Sequence, residues 1–337
     1  MATYYGTYGQ KVQNLASDPS DPQIGQVWYN STSAVLKVRA ATTSGTWASA
    51  GNRVNNINAG SLAGTQTAAI QFGGYVQPTP PQTVAQTQTE KYNGTSWTNN
   101  PTGLNTARYG AFKFGTQTAA IAAGGNLADA GSSFSTAASE SFNGSTWTNT
   151  PSLNTPRYNG GSSQAGTQTA GLIFGGFRIN PGFTQMASSE SWNGSSWTNT
   201  PSLNTGPAFS GGTGIGTQSA AMYAGREPTV TTVEVWNGSS WTTGTALPIG
   251  RNSGGGAGTQ SAALVFTGTL ASGSPTTTIL FNGTSWGTEG SVGTGRPDAG
   301  NQGAGTNSDA LLTGSPGVLT EEFTGAGAAV TRTVTVS

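Results

Sequence analysis

GTQTAAIAAGG, residues 115–125, followed by ESFNGSTW, residues 140–147, is the stretch whose reading decides the fold. Gly115-Thr116-Gln117 reads as a tight turn, and Thr118 to Ala123 as an almost wholly apolar strand suited to burial on both faces. Gly124-Gly125 ends that strand. Asn143-Gly144 predicts a hairpin, because both central positions of a two-residue turn need φ > 0. Arg108 to Phe114 supplies a strand before the first turn, Ala137 to Phe142 a third, and Trp147 sits on a short fourth. The crossover Pro151 to Arg157 then opens the next unit.

The same phrases recur along the chain. GTQTAA starts at Gly64 and Gly115, GTQTAG at Gly166, GTQSAA at Gly216 and Gly258, and GTNSDA at Gly305. The second phrase ends at Trp97, Trp147, Trp197, Trp241 and Trp286, in steps of 50, 50, 44 and 45 residues. A period of about 40–50 residues built from short strands marks propeller blades or a solenoid. Four antiparallel strands per unit select the propeller, so the reading is an all-β protein with six four-stranded antiparallel blades.

Composition narrows the function classes. The 337 residues suffice for a small N-terminal module (residues 1–50) and one large β domain (residues 51–337). Charged residues are 8% of the chain, against about 25% in an average soluble domain, so Thr, Ser, Asn and Gln must cover the surface. Thirteen basic and thirteen acidic residues cancel, which disfavours nucleic acid as a partner. Without Cys or His there is no disulfide, no thiolate nucleophile, no Cys/His zinc site and no imidazole base. No apolar run approaches the ~20 residues of a membrane span, so membrane insertion is not expected. The start MATYYGTYGQ lacks the pattern of a signal peptide, and synthesis in a cytoplasm without an export address is the expectation.

In the N-terminal module Asp18-Pro19-Ser20-Asp21-Pro22 predicts a rigid turn segment. Gln26–Tyr29, Ala34–Arg39 and Gly45–Trp47 follow as short strands, with a turn at Asn30–Ser33. So few large apolar residues make a poor independent core, and the module is expected to pack on the propeller, on another copy of itself or on a partner. Trp47 stands 50 residues before Trp97, where a preceding unit's Trp would fall, whereas the sixth unit has Ala328 in that place. Either the strand around Trp47 completes the last blade, or the alternating segment Ala329–Val336 does.

The repeat marks resemble the kelch repeat: an Arg opening the first strand, a Gly-Gly doublet after the second, then an aromatic residue and a Trp. The doublets are Gly73-Gly74, Gly124-Gly125 and Gly175-Gly176, decaying to Ala224-Gly225, Thr267-Gly268 and Thr313-Gly314. The aromatics are Tyr92, Phe142, Trp192, Trp236, Phe281 and Phe323. The resemblance covers roughly residues 50 to 337 and implies a six-bladed kelch-like β-propeller.

Residues able to carry chemistry fall mostly into repeat positions. Glu90, Glu140, Glu190, Glu234 and Glu321 share one, and Arg53, Arg108, Arg157, Arg251 and Arg296 share another. A fivefold set reads as hydrogen bonding within and between blades rather than as one acid–base pair. Ile279 replaces the Glu of the fifth unit, and Gly206-Pro207 falls in the Arg position of the fourth. The recurring Trp residues read as packing between blades, and Trp28 as the core of the N-terminal module. Asp18, Asp21, Asp129, Glu227, Glu289, Asp298 and Asp309 lie outside the repeat, and no spacing pairs two of them as a glycosidase requires. No catalytic residue, metal ligand or cofactor is assigned; the chain is not expected to be an enzyme.

Loop length points to the binding face instead. Both tight turns of each blade fall on one face, and the connections between second and third strands lie on the other. The first three of these are long: Tyr75–Thr89, with Pro78, Pro80 and Pro81; Asn126–Ser139; and Phe177–Ser189. Variable loops on a rigid scaffold are where binding resides. Tyr75, Phe177, Arg178, Phe183 and, from the shorter fourth loop, Arg226 are the candidate ligand-binding residues.

The phrase Asp18-Pro19…Gly25-Gln26-Val27-Trp28-Tyr29-Asn30-Ser31-Thr32-Ser33…Leu36-Lys37-Val38 resembles a segment of tail-fibre and other virion proteins of tailed bacteriophages, marine ones especially. There it precedes GTQTAA repeats of this kind. The resemblance implies a virion structural protein assembled in the host cytoplasm: a tail-fibre or receptor-binding component. Its N-terminal module, with Trp28 and Tyr29, would anchor it to other virion proteins, and its propeller would meet a host-surface glycan or protein. A capsid decoration or head fibre is the alternative, and a glycan-depolymerising enzyme a weaker one. A homo-oligomer is compatible with each.

Overall fold

The computed structural model describes residues 12–20, 22, 25–41, 44–78, 82–129, 132–180, 182–205, 211–297, 302–314, 317–326 and 329–334. Asp21, Pro80, Pro81, Gly206-Pro207, Asp298, Ala328 and Val336 lie outside them, as does the side chain of Asp129.

Four strands come first: β1 (Gln13–Leu15), β2 (Val27–Asn30), β3 (Val35–Ala41) and β4 (Thr46–Ala50). The first repeat gives β5 (Ser61–Gly64), β6 (Ala69–Phe72), β7 (Tyr75–Val76), β8 (Val84–Ala85), β9 (Thr89–Tyr92) and β10 (Trp97–Asn99). The second gives β11 (Phe112–Thr116), β12 (Ala119–Ala123), β13 (Asn126–Asp129), β14 (Ser132–Ser135), β15 (Ser139–Phe142) and β16 (Trp147–Thr150). The third gives β17 (Gly161–Ser162), β18 (Gly171–Phe174), β19 (Phe177–Ile179), β20 (Phe183–Gln185), β21 (Ser189–Trp192) and β22 (Trp197–Thr200). The fourth comprises β23 (Thr213–Gly216), β24 (Ala221–Ala224), β25 (Val233–Trp236) and β26 (Trp241–Thr243). The fifth comprises β27 (Gly255–Thr259), β28 (Ala262–Phe266), β29 (Thr278–Phe281) and β30 (Trp286–Glu289). The sixth supplies β31 (Gly303–Gly305), β32 (Asp309–Thr313) and β33 (Thr320–Thr324), and β34 (Ala329–Thr333) follows.

Each repeat pairs its strands in order into a four-stranded antiparallel sheet, and the innermost strands touch in sequence from β5 through β11, β17, β23 and β27 to β31. β31 then returns to β5, closing a ring. The fold is a β-propeller. Neighbouring inner strands approach closely: a Cβ on Gly303 would lie 2.6 Å from the carbonyl oxygen of Gly256. Such close approach is open only to glycine and explains part of the 52 glycines.

The hydrophobic core is divided among the seams between sheets. Strand β12 shows why. Its side chains alternate with period two, so Ala120 and Ala122 join Ile70, Phe72 and Trp147 in one cluster. Ile121 and Ala123 join Ile173, Trp192 and Trp197 in the next. Both faces are buried, as the apolar run predicts.

Two polar clasps repeat around the ring. In three blades the indole N–H of the fourth-strand Trp donates to a hydroxyl at the first residue of the preceding sheet's third strand: Trp147 to Thr89 (3.0 Å), Trp97 to Thr320 (3.0 Å) and Trp241 to Ser189 (3.2 Å), whereas Trp197 makes no such bond among the described residues. Val233 holds that position in the fourth sheet, and Trp286 turns to the carbonyl of Thr245 instead (2.9 Å). On the tight-turn face, each Gln of the GTQ turn donates to the backbone of the preceding sheet, as Gln117 does to Ala69 O (3.1 Å) and Gln168 to Phe142 O (2.7 Å). The Gln is therefore a cross-seam hydrogen-bonding residue as well as part of a turn.

The sixth sheet runs β31-β32-β33-β4, so the strand carrying Trp47 takes its outer position. The indole of Trp47 donates to Thr278 Oγ1 (2.9 Å) and lies 4.9 Å from the Phe266 ring and 5.3 Å from that of Phe323, centre to centre. β34 pairs with β3 instead, from Lys37↔Thr333 to Ala41↔Ala329. The chain accordingly divides into a propeller unit, Thr46–Phe323, and a second unit holding β1, β2, β3 and β34. The 1–50 and 51–337 boundaries thus shift at both ends, because the sixth repeat draws its Trp-bearing strand from the N-terminal side.

In the second unit the sheet order is β1-β2-β3-β34, with β1 parallel to β2. Trp28 is fully buried there, and Asp18 Oδ1 accepts from its indole nitrogen (3.1 Å) and from Asn30 Nδ2 (2.7 Å). Lys37 Nζ bonds the other carboxylate oxygen at 2.7 Å. Hydrogen bonds from Lys37, Asn30 and Trp28 hold the Asp18 carboxyl down at about 2. A carboxyl depressed in the folded state contributes stability above its unfolded value of ~3.9 and loses it as pH falls towards 2. The Trp28 indole proton should therefore titrate by NMR with a midpoint near 2; a midpoint near 4 would show that these bonds do not form in solution.

Candidate functional site

The repeat carboxylates are consumed by structure. Glu140 accepts from the backbone N–H groups of Asn105 (2.7 Å) and Thr106 (3.2 Å) in the crossover, and pairs with Arg108. Glu190 does the same for Asn154 (2.7 Å), Thr155 (3.2 Å) and Arg157 (2.9 Å). Glu321 pairs with Arg296 at 2.7 Å. Burial lowers the pKa of each of these three guanidiniums, and the neighbouring Glu pushes it back up.

Arg53 does not belong to this set. The bridge Asn58↔Tyr75 corresponds to Tyr109↔Asn126, which places Ile57, not Arg53, in the Arg108 position. Arg53 occupies the position of Leu104, and its Nη2 donates to the carbonyls of Ile57 (2.7 Å) and Gly317 (2.9 Å). Ile279 also has a local reason: the crossover residue matching Asn105 in the fifth repeat is Pro248, which has no N–H for a carboxylate to accept. Arg251 there bonds the carbonyls of Thr267 (3.2 Å) and Thr277 (3.4 Å).

The long connections are ordered into hairpins: β7–β8, β13–β14 and β19–β20. They stand side by side, β8 against β13 and β14 against β19, where the backbone N–H of Ile179 donates to Ser135 Oγ (2.8 Å). Together they form a ledge across the first three blades. Each hairpin is tied down by a bridge between the residue after its Gly doublet and the start of its blade: Asn58↔Tyr75, Tyr109↔Asn126 and Tyr158↔Phe177.

Aromatic rings run along the base of this ledge. Tyr75 meets Tyr109 edge-on at 5.0 Å, Tyr109 meets Tyr158 at 6.0 Å, Tyr158 meets Phe177 at 5.6 Å, and Phe177 meets Phe183 at 4.5 Å. Burial raises the pKa of Tyr109, and that of Tyr158 to about 12, so both phenols stay neutral. A cleft of about 460 Å³ opens between the first two hairpins, lined by Val84, Ala85, Ala107, Leu127, Ala128 and Phe134.

The structure thus brings Tyr75, Phe177 and Phe183 into one row, with Arg178 on the same hairpin facing Thr184 across the ladder. Arg226 lies apart, in the turn after β24, where the N–H of Val230 donates to its carbonyl (3.0 Å). The connection between β24 and β25 carries no additional hairpin among the described residues. Trp28 is an interior residue of its sheet, and of the pair Trp28–Tyr29 only Tyr29 presents its ring outward, at 37% exposure. Tyr109, Tyr158, Val84 and Phe134 escaped the sequence reading. A signal for the first two was present: Tyr follows the repeat Arg in both Arg108-Tyr109 and Arg157-Tyr158.

No protein-family model matches the sequence, and no curated protein matches it. Among solved structures, that of YjhT superimposes with a TM-score of 0.56 over 69% of this chain and 84% of YjhT, at 14% identity. The chain is similar in fold to YjhT. At that identity the likeness to YjhT carries the architecture alone.

Proposed function

We propose that this chain is a non-enzymatic virion structural protein of a tailed bacteriophage, a tail-fibre or receptor-binding component built on a kelch-like propeller. The unit containing β1, β2, β3 and β34 attaches it to other virion proteins, and the hairpin ledge contacts the host surface. The observation that carries the binding role is the ledge itself. Three adjacent hairpins project from a closed ring on one face, and two of them bear exposed rings, Phe134 and Phe183, over a braced aromatic row. The resemblance of residues 18–38 to phage tail-fibre segments supports the virion assignment, and the nearly uncharged surface suits a particle whose contacts must tolerate changing salt. The repeat carboxylates are committed to capping crossovers, which supports a role without catalysis.

Mass spectrometry of purified particles should find the chain, and its absence there would end the virion reading. Replacing residues 76–84 and 179–183 by short Gly-Ser turns should reduce host adsorption at least about tenfold while leaving particle assembly intact, since the ring does not depend on hairpin tips. Unchanged adsorption would assign the protein to capsid decoration instead.

A further inference from the structure

In the unit built from β1, β2, β3 and β34, three large apolar side chains stand exposed among the described residues: Val12 (52%), Tyr29 (37%) and Val334 (37%). Strand register puts all three on one face of the sheet. Tyr29 opposes Asn14 on β1 and Leu36 on β3. The N–H of Val334 donates to the Leu36 carbonyl (2.8 Å), which extends that row to β34. Two residues along, Val27 opposes Val38, Val12 precedes β1 level with Val27, and Arg332 opposes Val38 at the far corner. Alternation with period two keeps both rows on the same face. Val27, Leu36 and Val38 are half-buried there.

The chain covers the opposite face itself. Trp28 and Asn30 are buried on it, both bonded to Asp18, and the Lys37–Asp18 ion pair lies on that side. On the open face no described side chain is charged. A sheet with an apolar face partly in water lacks its second layer. What fits is a flat, uncharged, apolar surface stacked about 10 Å away, as between the sheets of a sandwich. The same face of a second copy is such a surface, and no described charge opposes the pairing of identical faces about a two-fold axis. Two rows across four strands offer roughly 300 Å² per copy, below the about 800 Å² per partner of a tight complex, so the association is weak and concentration-dependent.

We infer that two copies pair through this face, each burying the other's Tyr29, Leu36 and Val334. The pairing is independent of the proposed virion role. Sedimentation equilibrium of the purified full-length protein over about 1–300 μM should show monomer and dimer in exchange, with dimer predominating at the upper end. Tyr29→Lys and Val334→Lys each carry a charge into the interface and should weaken dimerisation at least about tenfold, whereas Tyr29→Phe should retain it. The resonance of the Trp28 indole N–H, buried on the opposite face, reports that each variant is folded. Raising salt should leave the dimer intact, because its contacts are not ionic. A monomer throughout, a dimer that neither Lys substitution weakens, or a dimer dissociated by salt would each overturn the inference. If the wild-type protein is monomeric and the Tyr29→Lys variant is lost from purified particles, the face belongs to another virion protein and self-pairing fails.

Discussion

Glu140→Ala should destabilise the protein by about 3–5 kcal/mol, the range found when one partner of a buried ion pair is removed. The side chains of Glu140 and Arg108 are both inaccessible to solvent. Deleting the carboxylate leaves the buried guanidinium charge with carbonyl partners alone and also frees the N–H groups of Asn105 and Thr106. Total stability in domains is about 5–15 kcal/mol, so this loss is a large fraction of it. Glu140→Gln keeps an acceptor for the crossover and should cost less. Equilibrium urea unfolding measures both, and a cost below about 1 kcal/mol for the Ala variant would show that the pair does not exist in solution. The fifth blade indicates what makes its Glu dispensable: Pro248 removes a donor, and Arg251 bonds two carbonyls and Thr277 Oγ1 without a carboxylate, although burial lowers its pKa to about 10.

Trp47→Ala should cost about 3–5 kcal/mol, the usual penalty for removing a large packed aromatic side chain. The indole fills the fifth-to-sixth seam between Phe266 and Phe323 and donates to Thr278. The variant should unfold at lower urea, and chains truncated to begin at residue 51 should fail to give a stable propeller because the sixth sheet lacks its outer strand. Trp286→Ala is the control: its indole is half-buried like that of Trp47 but meets one ring, Phe281, instead of two, so the loss should be smaller. Equal losses at the two positions would contradict the closure by β4.

The repeat made most of the ring legible. The GTQ and Asn-Gly turns mark where strands reverse, and the apolar run Ala119–Ala123 announces burial on both faces; these are local properties, settled within a few residues. The role of the recurring Trp as seam packing was readable from its fixed step. Its hydroxyl acceptor was not, because Thr89 and Trp147 lie 58 residues apart and meet only when two sheets pack. Arg53 misled for a related reason: its spacing suits the Arg position, but register is set by the bridge Asn58↔Tyr75, which displaces it by four residues. The length of the connections between second and third strands was legible, yet the row Tyr75, Tyr109, Tyr158 and Phe177 joins residues from three repeats and forms only where neighbouring blades meet.

The amino-acid sequence by itself determined the unit: four short strands, two tight turns, and a periodic set of Glu, Arg and Trp. Those features follow from backbone preference and side-chain alternation, which act over neighbouring residues. Which strand closes the last sheet, which residues flank the chain's two ends in a common sheet, and which rings share a ledge were decided only by tertiary structure. Each depends on contacts across seams, where residues distant along the chain compete for the same packing space, and the outcome is fixed by the whole ring closing at once.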